Sequence, residues 1–277
     1  MKRELERYQE IERSIVKKYR KGIWNNFISA VKEYELIQEG DRIAVCISGG
    51  KDSMLLAKCM QQLCRFSDVP FSLRFIVMDP GYAEKNRRLL EENSKILGIE
   101  PEIFENNIFN VVHDAGGSPC YLCARMRRGA LYDKAKSLGC NKIALGHHFD
   151  DVIETVLMSM MYSSEIKTML PKLHSTNFEG MELIRPLYKV KERDIVSWAN
   201  YNDLHFLQCA CRFTEESEKH EDLSKRRETK QLIKTLRKTN PEVDNNIFRS
   251  IHNVNLATIP GWRDRDNGET HSFLENF

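Results

Sequence analysis

Between positions 48 and 53 the chain reads Ser48-Gly49-Gly50-Lys51-Asp52-Ser53. Two adjacent glycines let a backbone turn tightly and approach a ligand with no Cβ in the way. Ser48 and Ser53 add hydroxyl donors and Lys51 adds a positive charge, a set suited to phosphate oxygens. A second group, Gly146-His147-His148-Phe149-Asp150-Asp151-Val152-Ile153-Glu154-Thr155, brings two histidines and two aspartates together. His147 suits a phosphate contact, and Asp151 suits Mg2+, which takes carboxylate and phosphate oxygens. Either aspartate also suits a helix cap worth ~1 kcal/mol. A third group is Cys120-Tyr121-Leu122-Cys123, with Cys209-Ala210-Cys211 far downstream. At the start of a helix a thiol's pKa falls, which favours thiolate and metal ligation.

The elements that must position these groups follow from hydrophobic patterning. Residues 1–38 read as helical, with Ile11, Ile15, Trp24, Phe27, Ile28 and Val31 as apolar points among charges. Glu39-Gly40-Asp41 then turns into Arg42–Ile47, a short apolar run of the kind that forms a buried parallel strand. The glycine loop follows this strand directly and leads into an amphipathic helix over Ser53–Phe66. A helix opening there offers unpaired N–H groups and the positive end of its dipole. The order strand, helix repeats at Ser72–Met78, Glu84–Leu97 (closed by Gly98), Pro101–Phe104, Tyr121–Leu138 (closed by Gly139), Lys142–Leu145 and Asp150–Tyr162. A fifth strand is expected at Glu182–Ile184, and beyond about residue 190 helices continue, apart from a short apolar piece at Phe206-Leu207.

Strands alternating with helices predict an α/β fold, a parallel doubly wound sheet with N- and C-terminal helical segments. Three regions are expected: a helical segment over 1–38, a nucleotide-binding domain over 39–190 with the C-x-x-C helix inserted, and a helical extension over 191–277 carrying the downstream cysteines. Ligands in such folds bind outside the carboxyl ends of the strands, where all of these loops fall. Asp79, just past the second strand, lies on that edge too, with a loop-cap role as the alternative.

Composition narrows the class. The 277 residues are 41% hydrophobic and 30% charged, which supplies both a core and a solvated surface. The net charge of +2 is nearly balanced, but Arg125, Arg127 and Arg128, and the run Lys225, Arg226, Arg227, Lys230, Lys234, Arg237 and Lys238, make local basic faces. Such faces suit phosphates or simple surface ion pairs. The segment from Met1 to Lys21 is charged throughout and lacks the apolar region of a signal peptide. No stretch approaches the ~18 apolar residues of a membrane span. A cytoplasmic protein is therefore expected, and its eight cysteines point to metal or redox chemistry rather than disulfides. Zinc, a redox dithiol and an iron–sulfur cluster all remain open for the paired cysteines. Cys46, Cys59, Cys64 and Cys140 fall on apolar positions or a helix end and read as core or bystander thiols.

The loop at 48–53 is not a Walker A sequence, since G-x-x-x-x-G-K-[ST] is absent. It resembles the SGGxDS pyrophosphate loop of the PP-loop ATPases, which split ATP into AMP and pyrophosphate while adenylating a substrate. The segment 146–155 resembles the GHxxDDxxET element of tRNA-modifying members of that superfamily. The run from Pro119 to Tyr132, then Ile143 through Thr155 to Lys172, Ile184-Arg185-Pro186-Leu187 and Lys191-Glu192-Arg193-Asp194-Ile195 resemble the tRNA 2-thiocytidine synthetase (TtcA) family, over roughly residues 22–240.

That resemblance implies a PP-loop fold like that of adenine nucleotide alpha hydrolases, and an ATP-dependent tRNA thiolase. It implies ATP, Mg2+ and a [4Fe-4S] cluster held by three cysteines, carried over as Cys120, Cys123 and Cys209. The family's downstream ligand lies in a second C-x-x-C, whereas this chain has Cys209-x-Cys211, so Cys211 is left as a spare. Lys51, Asp52 and Asp151 are the implied catalytic residues. Ser48, Gly49, Gly50, Lys51, Asp52, Ser53, Asp79, Gly146 and His147 are the implied nucleotide contacts. The implied partners are tRNA, ATP and a sulfur donor such as a cysteine desulfurase, with no membrane, and family members can be homodimers. The rival readings are a PP-loop tRNA 2-thiouridine synthetase and a zinc-stabilised RNA-binding protein with no thiolase activity.

Overall fold

A computed structural model describes residues 5–106, 119–207, 221–264 and 268–276. The side chains of 119–125 and 221–224 fall outside that description, as do Cys209 and Cys211 altogether.

The N-terminal segment is helical in pieces. Helix α1 (Arg7–Val16) is followed by a π-helical turn (Arg20–Trp24) and α2 (Asn25–Glu33). The helix stops at Glu33, short of the expected residue 38, and Glu35 takes a left-handed φ of 48°. Then β1 (Arg42–Ile47) runs through the centre of the sheet, buried from its second residue onward. Helix α3 (Lys51–Phe66) begins two residues before the expected Ser53 and buries every position from Ser53 to Met60. The chain continues through β2 (Ser72–Asp79), α4 (Glu84–Leu97), β3 (Glu102–Glu105), α5 (Pro119–Ser137) and β4 (Lys142–Ala144). After these come α6 (Phe149–Ser163), β5 (Lys172–His174), β6 (Glu182–Ile184) and α7 (Glu192–Tyr201). Gly98 and Gly139 stop α4 and α5 as expected, both with left-handed φ.

The sheet has the order β3-β2-β1-β4-β6-β5. Every pairing is parallel except β5 with β6, which is antiparallel and closes one edge. Sequence patterning missed β5 because three residues carry no readable alternation. Helices cover both faces. Ile11, Phe27, Leu55, Met60 and Trp198 share a core with Val45 and Val77 on one side. Tyr132 and Ala135 of α5 pack with Ala44, Cys46, Ile76 and Ile143 on the other. The order of strands reverses between β1 and β4, so the loops after these two strands flank the topological switch point, where such sheets bind ligands.

The chain divides into two compact units, Met1–Val152 with Met169–Ser224, and Ile153–Thr168 with Lys225–Phe277. The second unit holds most of α6, then α8 (Glu221–Thr239), α9 (Val243–Ser250) and a hairpin of β7 (Gly261–Arg263) and β8 (Thr270–Ser272). The hairpin corrects the expectation of helices alone beyond residue 190. Within this unit part of the basic run is ion-paired: Arg226 and Lys230 with the buried Glu154, and Arg237 with Asp244. Among the described residues no helix is long and apolar enough to cross a membrane.

Candidate functional site

The loop after β1 is stitched by its own hydroxyls. Ser53 Oγ accepts the Ser48 N–H at 3.1 Å and donates to the Gly50 carbonyl at 2.9 Å, while Ser48 Oγ lies 3.2 Å from it. Gly49 has a φ of +83°, a region that side-chain-bearing residues rarely adopt. A Cβ there would also lie 2.6 Å from Leu207 Cδ1, because the Leu207 N–H donates to the Gly49 carbonyl at 3.2 Å. Gly49 therefore serves the fold, fastening the 206–207 segment to the loop. The apolar pair Phe206-Leu207 is no strand but the far wall of this loop. Gly50 differs: a Cβ there meets nothing nearer than 3.6 Å, so the site keeps open space beside it.

Lys51 opens α3, and its Nζ lies 3.0 Å from Glu192 Oε1 and 3.2 Å from Asp52 Oδ2. Burial works to lower the Lys51 pKa, but these carboxylates outweigh it and hold the ammonium above its ordinary value. The Asp52 pKa is raised as well, which favours its neutral form: burial raises it, against the attraction of His148 and Lys51, and Asp151 raises it further. Asp52 Oδ1 is buried with no hydrogen-bond partner among the described residues, and His148 Nε2 stands 3.7 Å off. A buried acceptor left unmatched costs on the order of 1–3 kcal/mol, a cost a bound ligand or metal would relieve.

The loop after β4 separates the two histidines. His148 is buried and starts α6: its Nδ1 accepts the Asp151 N–H at 3.4 Å, while Asp151 Oδ2 accepts the His148 N–H at 3.0 Å. This is a capping box with histidine in the usual serine position. The other ring nitrogen, Nε2, lies on the Asp52 side. His147 instead lines a cavity, and its Nδ1 accepts from Arg185 Nε at 3.3 Å. Burial first, then the neighbouring Arg128, pull the pKa of Arg185 down to about 10. Asp150 is buried and accepts the Glu192 N–H at 2.7 Å, so it sets the start of α7 and thereby the carboxylate that holds Lys51. Gly146 is demanded by packing: a Cβ would lie 3.0 Å from the Ser53 nitrogen and 3.1 Å from the Asp52 carbonyl carbon.

Two cavities open on this loop. One of about 280 Å³ is lined by Ser48, Asp52, Ser53, Gly146, His147 and Asp151. The other, about 660 Å³, is lined by Ser48, Gly50, Lys51 and Asp52, by Val196, Ala199 and Asn200 of α7, and by residues 204–207 that follow it. Arg127 of α5 lines both. The same helix carries Cys120 and Cys123 in its first turns, seven and four positions before Arg127.

The structure thus brings Ser48, Gly50, Lys51, Asp52, Ser53, Gly146, His147 and Asp151 together, with Gly49 beneath them. Asp79 is occupied elsewhere: Oδ1 accepts the Gly81 and Tyr82 N–H groups at 2.8 and 2.7 Å, and Oδ2 meets Arg87 at 2.6 Å. It acts as the loop cap weighed above. Sequence reasoning missed Glu192, Arg127, Arg185 and Leu207 as parts of the site. Arg127 was readable only as one of a basic cluster, and Glu192 carried no signal, since it meets Lys51 from 141 positions away.

Comparison with known proteins agrees with this geometry. The PP-loop domain family matches residues 17–211. A tRNA-cytidine(32) 2-sulfurtransferase of Geobacter metallireducens is 36% identical over 241 residues, spanning 86% of this chain and 91% of the relative. The protein of the same name from Aliivibrio fischeri is 36% identical over 240 residues, spanning 86% and 76%. Among solved structures, the U34-tRNA thiolase NcsA from Methanococcus maripaludis with its [4Fe-4S] cluster superposes with a TM-score of 0.66 at 22% identity, covering 88% of this chain and 82% of that one. At that identity the likeness speaks for the fold.

Proposed function

Because this chain belongs to the PP-loop family of tRNA-cytidine 2-sulfurtransferases, we propose that it thiolates C2 of a tRNA cytidine by adenylating the base and exchanging its oxygen for sulfur. The supporting observation is Arg127, which lines both cavities at the glycine loop from α5, the helix in whose first turns Cys120 and Cys123 stand. One helix thereby links the C-x-x-C sequence to the nucleotide site.

In this reading the pyrophosphate of ATP rests on residues 48–53, against the N–H groups that open α3 and the Lys51 ammonium. The C2 oxygen of the base attacks the α-phosphate; an O–P bond forms and pyrophosphate leaves. Negative charge grows on the phosphate oxygens in that step, so oriented N–H donors, Lys51 and Arg127 stabilise the transition state more than the ground state. Glu192 and Asp150 hold Lys51 in place for it. Asp52 and the neighbouring Asp151 are the carboxylates that would hold Mg2+, which would supply positive charge to the phosphates. Sulfide then adds at C2 and AMP departs with the former base oxygen.

The chemistry of the donor set fits a thiolate-bound cluster: Cys120 and Cys123 form a C-x-x-C in the first turns of α5. Cys209 is the third ligand of this proposal, and Leu207, two positions earlier, is fastened to Gly49. A [4Fe-4S] cluster, if bound, would be held by these three residues and would supply the chemistry that delivers sulfide to C2. The test is anaerobic purification with iron and sulfide assays, alongside mass spectrometry of nucleosides from tRNA incubated with ATP and sulfide. Iron with new 2-thiocytidine is expected. New 2-thiouridine would move the substrate, and zinc with unmodified tRNA would end the thiolase reading.

A further inference from the structure

Beside the nucleotide cavity lies a second concavity, about 500 Å³, between α1 and the end of α7. Its walls carry Arg7, Arg13, Lys17 and Lys18 against a single acid, Glu10. Arg7 is partly engaged, donating to the Asn202 carbonyl and pairing with Glu10 at 3.5 Å. Arg13, Lys17 and Lys18 are exposed and meet no carboxylate among the described residues. Helix-dipole complementation explains a cation or two in the last turn of α1. It does not explain a cluster that gathers around an exposed aromatic ring. Lys18 Nζ sits 3.5 Å from the centroid of Tyr201, which is 55% exposed and braced edge-on by Tyr19. That contact holds an ammonium in position and lowers the cost of ordering it on a ligand.

The placement is as telling as the charge. Val196 and Asn200 of α7 line the nucleotide cavity, and the next residues, Tyr201 and Asn202, line the basic concavity. A polyanion laid in the concavity would therefore pass the mouth of the site. A cytidine must leave its stack to reach such a site, and the phosphates flanking it need cations close by.

We propose that this concavity docks the tRNA sugar–phosphate backbone next to the nucleotide cavity, with Arg13, Lys17 and Lys18 as the phosphate contacts. The inference rests on the tRNA-thiolase reading above. The test compares the full chain with a triple Arg13→Gln, Lys17→Gln, Lys18→Gln variant, measuring tRNA affinity by fluorescence anisotropy across a salt series, ATP affinity, and thiolation. The variant is expected to bind tRNA about tenfold more weakly at 0.1 M salt, with the slope of log K against log salt shallower by about two to three. ATP affinity and the melting temperature should not move. Should the triple variant melt early, Lys17→Glu alone is read the same way.

Unchanged tRNA affinity and slope would overturn the proposal while leaving thiolation by the unaltered chain intact. Lost thiolation with unchanged tRNA affinity would overturn it as well and point to an acidic protein partner on this face. If the unaltered chain binds tRNA through these residues but thiolates nothing, the function reading fails and the docking surface stands.

Discussion

Two charged clusters sit at opposite ends of the same strands, and they are built differently. At the amino ends, Lys142 of β4 meets Asp41 Oδ2 at 2.7 Å, Glu182 Oε2 of β6 at 3.1 Å and the Leu36 carbonyl at 3.2 Å. Asp41 is held in turn by the Gln38 N–H and the Asn141 side chain. The Lys142 and Asp41 side chains are 2% and 5% exposed. At the carboxyl ends, Lys51 and Asp52 are 27% and 29% exposed, and Asp52 Oδ1 has no hydrogen-bond partner among the described residues. Both clusters contain a lysine between carboxylates, and in the first Glu182 Oε2 likewise has no hydrogen-bond partner among the described residues. The first is packed into the interior at the strands' amino ends; the second faces a cavity. Neither charge nor an unmatched acceptor alone marks a site, whereas an unmatched acceptor beside a cavity at a strand's carboxyl end does.

That contrast breaks most readily on paired lysine variants. Lys142→Met should cost ~3–5 kcal/mol of stability, because the buried Asp41 is left without its cation, while Glu182 keeps Lys172 at 3.5 Å. Urea unfolding measures it. Lys51→Met should shift stability by less than about 1 kcal/mol, as for a half-exposed pair. Its turnover should nonetheless fall by about 10²–10³. Comparable unfolding midpoints for the two variants would mean that the clusters do the same work.

The glycines sharpen the comparison within the loop. Gly49→Ala places a side chain at φ +83° and against Leu207, so about 1–3 kcal/mol of destabilisation is expected in thermal unfolding. Gly50→Ala has an ordinary extended φ of −81° and room for its methyl, so stability should hold or rise by about 0.4–1 kcal/mol. The same methyl lines the cavity and should weaken ATP binding, read by calorimetry. A smaller effect is expected at the cap of α6. His148→Ala should lose ~1 kcal/mol and His148→Asn, itself a good capping residue, should recover most of it.

The smallest effect belongs to Asp79. Burial pushes its pKa up, but the Tyr82 and Gly81 N–H groups and Arg87 more than offset this and hold it below the usual carboxylate value. A depressed folded pKa adds stability above the unfolded value near 3.9, lost as pH falls through the folded one. Asp79→Asn should therefore flatten the acid limb of the stability profile below about pH 4 and leave turnover at neutral pH unchanged.

Much of the sheet was legible because its signals are local. An apolar hexapeptide between turns forms β1 wherever it sits, and two glycines before an amphipathic run place a loop and a helix start. The edge strand β5 and the hairpin β7–β8 were not legible: β4 and β6 are as short but carry apolar residues the core buries, whereas β5, β7 and β8 are mostly polar, partly or fully exposed, and set by their partners. The site divides the same way. Types and spacing nominated residues 48–53 and 146–151, but not what each carboxylate does. Asp79, Asp150 and Asp151 look alike in sequence, yet one caps a turn, one fastens α7 and one caps α6 beside a cavity.

The sequence by itself determined the alternation of strands and helices, the glycine loop after β1 and the pair of thiols on α5. Those depend on backbone freedom and hydrophobic period within a few residues of chain. Only the tertiary structure decided that Glu192 steadies Lys51, that Leu207 seats on Gly49, that Arg127 faces both cavities and that a basic concavity adjoins them. A hydrogen bond or ion pair is made by whatever lies within about 3 Å, and in this fold the nearest partner is often more than a hundred residues away along the chain.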